Sequence, residues 1–166
     1  MFTIKPEDDA ILDFRKPYTF LSNFCRSELT VDGVSCATLE HAYQMQKTLD
    51  PVQREIIRLK QSPLWARQSA KSKSFPLRED WDSISVGVMR DLLVQKFTQH
   101  PKLAVKLLAT GDKIIAEGNT WGDTRWGVCL NEDGAWRGEN LLGTLLMDVR
   151  KKLSSGELHL DKGTPR

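Results

Sequence analysis

Apolar positions fall in short extended-type runs over the first third of the chain and take up helical spacing after residue 38. Residues 2–4, 11–14, 29–31 and 34–36 predict strands, and Asp32-Gly33 between the last two is a two-residue hairpin signal. Thr38 is placed to cap a helix running to about Leu49. Asp50-Pro51-Val52-Gln53 then supplies an N-cap, a proline at the first helical position and a glutamine at the third, so a second helix starts there. Ser62-Pro63 repeats the start signal for a short helix to about Lys71. Asp82 caps the next, with Ile84, Val88, Met89, Leu92, Leu93 and Phe97 at helical spacing. Pro101 opens another through Ala109, closed by Thr110-Gly111-Asp112. Residues 114–117 and 128–130 read as short strands. A last helix over about 138–153 carries Leu142, Leu145, Leu146, Val149 and Leu153 on one face and Arg150, Lys151 and Lys152 at its negative end. Helices and strands do not alternate as βαβ units. The expectation is an α+β, mainly helical single domain over residues 1–153 with a few short strands, and a flexible C-terminal tail over 154–166.

Composition narrows the class. A chain of 166 residues is one domain's length, and 40% apolar with 28% charged residues is ordinary for a soluble globular protein. The formal net charge of +2 argues against a dedicated duplex-DNA binder, which needs a basic face. It leaves room for a small phosphorylated ligand, since a few cations in one pocket barely change the total. No apolar run approaches a membrane span, no secretory leader is expected, and Cys25, Cys36 and Cys129 form no CxxC. These features predict a cytoplasmic, reducing location. One feature is unusual. Seven of the eleven glycines and three of the five tryptophans lie between residues 111 and 143, which reads as a structured loop region packed against something.

Among motifs that carry chemistry, Walker, GxGxxG, HExxH and GxSxG patterns are absent, and His41, His100 and His159 are too scattered for a metal site. The expectation is carboxylate chemistry with no metal and no cofactor. On a helix over 38–49, Glu40, Tyr43, Gln44 and Lys47 share one side, and Leu39, Ala42, Met45 and Leu49 lie nearly opposite. That side is either a solvated helix face or a functional one. In Asn119-Thr120-Trp121-Gly122-Asp123-Thr124-Arg125-Trp126-Gly127, Asp123 is either a carboxylate held in a partly dry loop for acid–base work or a residue bonding its own turn while the tryptophans fill the core. Trp81 is a candidate stacking ring or a packing staple before a helix. Arg15, Tyr18 and Asn23 sit in an aromatic-rich segment and either face a pocket or satisfy loop backbone groups. The three cysteines fill space.

Six blocks in order resemble one family: YTFLSNF (18–24), LEHAYQMQK (39–47), LREDWD (77–82), VMRDLLVQKF…LLATGD (88–112), EGN…WGDTRWG (117–127) and GENLLGTLLMDVRKKL (138–153). Together they cover most of residues 14–153 and are similar to the NADAR (YbiA-like) family. The resemblance implies a mainly helical α+β domain that hydrolyses the C1′–N glycosidic bond of a ribose carrying phosphate or ADP. The implied substrates are phosphoribosylamino-pyrimidine intermediates of riboflavin biosynthesis, or ADP-ribose on a base such as guanine in nucleic acid. Carried onto this sequence, it makes Glu40 and Asp123 the catalytic candidates. Trp81 and Trp126 would line the sugar and base pocket, while Arg15, Asn23, Lys47 and Asn119 would hold phosphate or ribose hydroxyls. The sequence departs from the family pattern at Cys25-Arg26-Ser27, at Ser35-Cys36-Ala37 and in a short link after Ala70-Lys71, which bears on substrate choice more than on reaction type.

Such a reaction develops oxocarbenium character on the sugar, which one carboxylate stabilises while activating water, and a second supports the leaving group or orients ribose hydroxyls. Glu40 is the better candidate for the first role, because a helix fixes a side chain better than a loop. No membrane and no obligate protein partner are expected. The alternatives are a non-catalytic ADP-ribose or nucleotide-binding module, which needs neither carboxylate, and a scaffold whose Trp/Gly loop only packs a core.

Overall fold

The structure is a computed structural model describing residues 1–161. Residues 162–166, the end of the tail expected to be flexible, lie outside the described residues. Along the chain the elements are β1 (Phe2–Ile4), β2 (Ala10–Ile11), a 3-10 turn (Thr19–Leu21), β3 (Arg26–Val31), β4 (Val34–Thr38), α1 (Leu39–Met45), α2 (Pro51–Arg58), α3 (Pro63–Ser69), α4 (Trp81–Gln99), α5 (Pro101–Leu108), β5 (Ile114–Ile115), β6 (Gly118–Asn119), β7 (Val128–Leu130), β8 (Trp136–Gly138) and α6 (Leu141–Ser154). The fold class is α+β: helices and a few short strands in small sheets. Two units emerge from the contact pattern, one built from residues 1–22 and 101–160, the other from 23–100 together with Asp161.

The 23–100 unit begins with an antiparallel hairpin. Asp32 and Gly33 both take left-handed backbone, φ 52° and 78°, which suits the twist of a two-residue turn. Ser27, Leu29 and Val31 of β3 point inward, and Arg26, Glu28 and Thr30 point out. Thr38 ends β4 in an extended conformation, and its Oγ1 accepts from the amide of His41 at 3.3 Å to start α1. His41 is a structural residue: Nδ1 lies 2.8 Å from Thr38 Oγ1 and Nε2 3.0 Å from the carbonyl of Lys60. Asp50 caps α2 through the amides of Val52 and Gln53, and Ser62 caps α3 through that of Trp65, each followed by proline at the first helical position. Every residue of α1 is buried, because α2, α3, α4, β3 and β4 all pack on it. Along α4, Trp81, Ser85, Met89, Leu92, Leu93, Lys96 and Phe97 form its buried face at three- and four-residue spacing.

The other unit holds a four-stranded sheet in the order β1-β8-β7-β6, with β6 and β7 parallel and the remaining neighbours antiparallel. β2 and β5 form a two-stranded parallel ladder. Ile4, Ala116 and Val128 are fully buried between these strands, with Phe2, Leu12, Ile114 and Trp136 packed against them. α6 packs on β5 and α5. The glycine enrichment has a packing cause: a Cβ at Gly127 would collide with the carbonyl oxygen of Glu117, and one at Gly143 with that of Ile115.

Several boundaries differ from the sequence reading. The helix expected to run to Leu49 stops at Met45, since Asp50 must be extended to cap α2 and Thr48 Oγ1 accepts the Asp50 amide. Leu49 therefore leaves the helix and is 68% exposed instead of sharing the buried side. α4 starts at Trp81 with Asp80 at the cap position, so Asp82 lies inside the helix; the Asp80 carboxylate is taken by Arg78. The last helix starts at Leu141, three residues late. Residues 136–138 are claimed by β1 and β7 as a strand, and Asn140 turns the chain with φ 53°.

Candidate functional site

α1 carries the densest polar cluster of the 23–100 unit. Glu40 and Gln44 are one turn apart, and Gln44 Nε2 donates to Glu40 Oε1 at 2.8 Å. Glu40 is 6% exposed and Gln44 3%. The shared side of Glu40, Tyr43 and Gln44 is thus inside the protein and not a solvated helix face. Burial pushes the Glu40 carboxyl above the usual glutamate range, against the hydrogen bond from Gln44 and the positive fields of Arg67, Lys47 and Lys71. Lys47 follows α1. Burial pushes its ammonium below the usual lysine range, Glu40 opposes this, and Arg67 and Lys71 add to it. Its Nζ sits 5.6 Å from the Tyr43 ring centre and 5.7 Å from that of Trp81. The two rings meet edge to face at 5.0 Å. The backbone holds this corner together, with the amide of Arg78 on the Lys47 carbonyl at 2.9 Å and that of Trp81 on the Arg78 carbonyl at 3.2 Å.

Asn23 joins the cluster through the backbone, its carbonyl accepting from the amide of Glu40 at 3.0 Å, while its Nδ2 lies 3.6 Å from Met89 Sδ. Asn23 Oδ1 and Gln44 Oε1 are buried acceptors without a hydrogen bond among the described residues. Each such orphan costs about 1–3 kcal/mol unless a donor is supplied. A buried carboxyl with a raised proton affinity, an ammonium framed by two aromatic faces and two unsatisfied acceptors can together move a proton, bind an anion and receive hydroxyl donors.

In the other unit, Asp123 bonds its own turn: Oδ1 accepts from the amides of Trp126 at 2.9 Å and Arg125 at 3.1 Å. Asn119 clamps the same loop. Its Oδ1 accepts from the Asp123 amide at 3.0 Å, and its Nδ2 donates to the carbonyls of Asp123 at 2.8 Å and Val128 at 3.2 Å. Asn119 is 3% exposed, and backbone groups take up its amide. Trp126 is half-buried, with the Arg125 guanidinium 5.9 Å from its ring. Trp121 is 63% exposed, contrary to the reading of the loop tryptophans as core filling; the turn at Gly122 (φ 82°) carries its ring outward. It borders a cavity of about 690 Å³ lined also by Asp13, Arg15, Glu117, Asn119 and Trp136. Arg15 is largely solvent-exposed and paired with Asp13 at 2.5 Å.

Two groupings follow. Glu40, Lys47, Trp81 and Asn23 come together in the 23–100 unit. Asp123, Asn119 and Trp126 come together in the other, with Arg15 beside the cavity that Asn119 also lines. Sequence reasoning missed Arg67 and Lys71 altogether, because only the packing of α3 on α1 brings their charge to Glu40 and Lys47. It also noticed Tyr43 and Gln44 without giving them a role. The cysteines are free thiols; Cys36 is fully buried, which pushes it up to about 11 and leaves it unreactive. Among the described residues no group of three or more His, Cys, Asp or Glu side chains is arranged to hold a metal ion.

A family model described as "NADAR domain" matches residues 11–154. N-glycosidase YbiA of Escherichia coli (strain K12) is 40% identical over 149 residues, spanning 88% of this chain and 90% of that protein. Riboflavin biosynthesis protein VVA0006 of Vibrio vulnificus (strain YJ016) is 38% identical over 135 residues, 81% of this chain and 35% of that much longer protein. The NMR structure of E. coli YbiA superposes with a TM-score of 0.75 at 35% identity, covering 98% of this chain and 94% of that one.

Proposed function

The chain belongs to the NADAR domain family and is a hydrolase of N-glycosyl bonds, and we propose that the bond it breaks is the ribose C1′–N bond of a phosphorylated ribosyl compound. The substrate is either a phosphoribosylamino-pyrimidine intermediate of riboflavin biosynthesis or an ADP-ribosylated base such as guanine. The observation that carries this reading is the state of Glu40: a buried carboxyl with a raised proton affinity, hydrogen-bonded by Gln44 and beside Lys47 and the Trp81–Tyr43 ring pair.

In this scheme water adds to C1′ as the C1′–N bond breaks, and the bonding pair leaves with the base nitrogen. Glu40 accepts the proton of the attacking water and opposes the positive charge growing on the sugar. A carboxyl whose affinity for protons is raised by burial suits that transfer better than an ordinary surface glutamate. Asp123 is the second carboxylate, supporting the leaving base or a ribose hydroxyl, and Asn119 serves it by fixing the loop. The orphan acceptors of Asn23 and Gln44 receive ribose hydroxyl donors. Trp81 and Trp126 offer faces to the sugar and the heterocycle, while Lys47 and Arg15 take phosphate oxygens. The reaction calls for no cofactor, metal or protein partner. Three free thiols suit a cytoplasmic setting, and no helix among the described residues is long and apolar enough to cross a membrane.

The test is incubation of purified protein with each substrate class, following free ribose 5-phosphate or free ADP-ribose by mass spectrometry. Release from one class identifies the substrate. Tight ADP-ribose binding with release from neither would instead make the chain a binding module.

A further inference from the structure

Charge pairing in the 23–100 unit is uneven. Arg54 pairs with Asp32 at 2.8 Å, Arg58 with Glu55 at 2.6 Å and Arg78 with Asp80 at 2.6 Å. Lys47, Arg67 and Lys71 make no ion pair with a carboxylate among the described residues, and neither Arg67 nor Lys71 makes a side-chain hydrogen bond there. Yet these three stand together. Arg67 occupies the last turn of α3 and Lys71 follows it; α3 packs on α1, which ends just before Lys47. Both cations lie close enough to raise the positive potential at the Lys47 ammonium and at the Glu40 carboxyl. Glu40 opposes them at Lys47, but it is one carboxylate facing three cations, so an excess of positive charge remains. Three cations that repel one another, two of them half-buried, are costly to hold together without an anion.

We infer that Lys47, Arg67 and Lys71 form a three-cation site for the phosphate end of the substrate, with Arg67 and Lys71 setting the preference for phosphorylated over unphosphorylated ribosyl compounds. The fork of Arg67 suits two oxygens of one phosphoryl group, and the two ammonium groups act as point charges beside it. The identification of the ligand as the substrate's own phosphate rests on the glycosidase reading; the existence of an anion site does not. Near-neutral overall charge fits a local device of this kind better than a surface for a polyanion.

Isothermal titration of the intact protein with inorganic phosphate and with inorganic pyrophosphate, at low ionic strength, measures the site without turnover. The two probes separate a monoester-type site from a diphosphate-type one by which binds more tightly. Arg67→Ala and Lys71→Ala should each weaken the better probe about tenfold, and Arg67→Lys should recover part of the loss. In turnover, Arg67→Ala should raise KM for the phosphorylated substrate with kcat nearly kept, leaving the unphosphorylated ribosyl analogue unaffected. Unchanged probe affinity in folded Arg67→Ala and Lys71→Ala proteins overturns the site, even if the wild type is an active glycosidase. Weakened probe binding alongside a wild type that hydrolyses neither substrate class upholds the anion site and removes the glycosidase reading alone.

Discussion

Gln44 donates to the carboxyl of Glu40 at 2.8 Å, one turn away on α1, with both side chains buried and the Gln44 carbonyl oxygen left without a donor. This pairing holds a carboxyl inside the protein in one orientation while burial favours its protonated form. Gln44→Leu removes the hydrogen bond that steadies the charged form. The acidic limb of kcat/KM should move to higher pH in that variant, and a pH–rate profile beside the wild type measures the move.

The same raised affinity links Glu40 to stability. Its proton is held more tightly in the folded chain than in the unfolded one, where glutamate titrates near 4.5. The contribution of Glu40 to stability is therefore complete below that value and is lost as pH rises through the higher folded one. Denaturant unfolding of wild type and Glu40→Gln across a pH series should show the wild type losing ground to the variant as pH rises. A constant difference would mean that burial does not perturb this carboxyl.

Lys47 has the opposite sign. Burial lowers its proton affinity from 10.5, so its stabilising share is present above that pH and is lost as pH falls through the folded value. Near neutrality the half-buried ammonium costs stability, which two cation–π contacts of about 0.5–1 kcal/mol each offset only in part. Lys47→Met should be no less stable than wild type at neutral pH, while KM for a phosphorylated substrate rises about tenfold. Thermal unfolding and steady-state kinetics on one preparation separate the two effects.

Asn119 ties the Asp123 loop through hydrogen bonds of 3.0, 2.8 and 3.2 Å, to the Asp123 amide and to the carbonyls of Asp123 and Val128. Asn119→Ala removes all three bonds, and a backbone group left unpaired in the interior costs about 1–3 kcal/mol. The variant should melt lower and turn over more slowly, with Asp123 itself intact. Hydrogen exchange should speed up at the amides of Asp123 and Trp126 before the helices open.

Gly143 tests the packing reason for the glycine-rich stretch. Alanine is a better helix former by about 1 kcal/mol, yet its methyl would meet the Ile115 carbonyl oxygen. Gly143→Ala should destabilise by about 1–3 kcal/mol, as overpacking does, and a lowered Tm with unchanged far-UV circular dichroism checks it.

What the sequence made legible was local chemistry. Asp32-Gly33, Thr38, Asp50-Pro51 and Ser62-Pro63 start or turn elements by bonds within four residues, and each does so in the structure. β6 and β8 are two and three residues long, too short to show alternation, and exist because β7 pairs with them. Helical periodicity named the side of α1 that carries Glu40 but mistook its surroundings, since burial on every side comes from five packed elements. Arg67 and Lys71 carry no local signal. Their charge reaches Glu40 through tertiary packing, which spacing along one chain does not encode.

The decisive measurement is product release by Glu40→Gln beside wild type, with free ribose 5-phosphate or ADP-ribose quantified by mass spectrometry on whichever substrate class the wild type accepts. The variant should keep its fold and its ligand affinity while kcat falls by about 10²–10⁴, the range for a lost general base. A folded Glu40→Gln protein that releases the sugar at the wild-type rate would remove Glu40 from the chemistry.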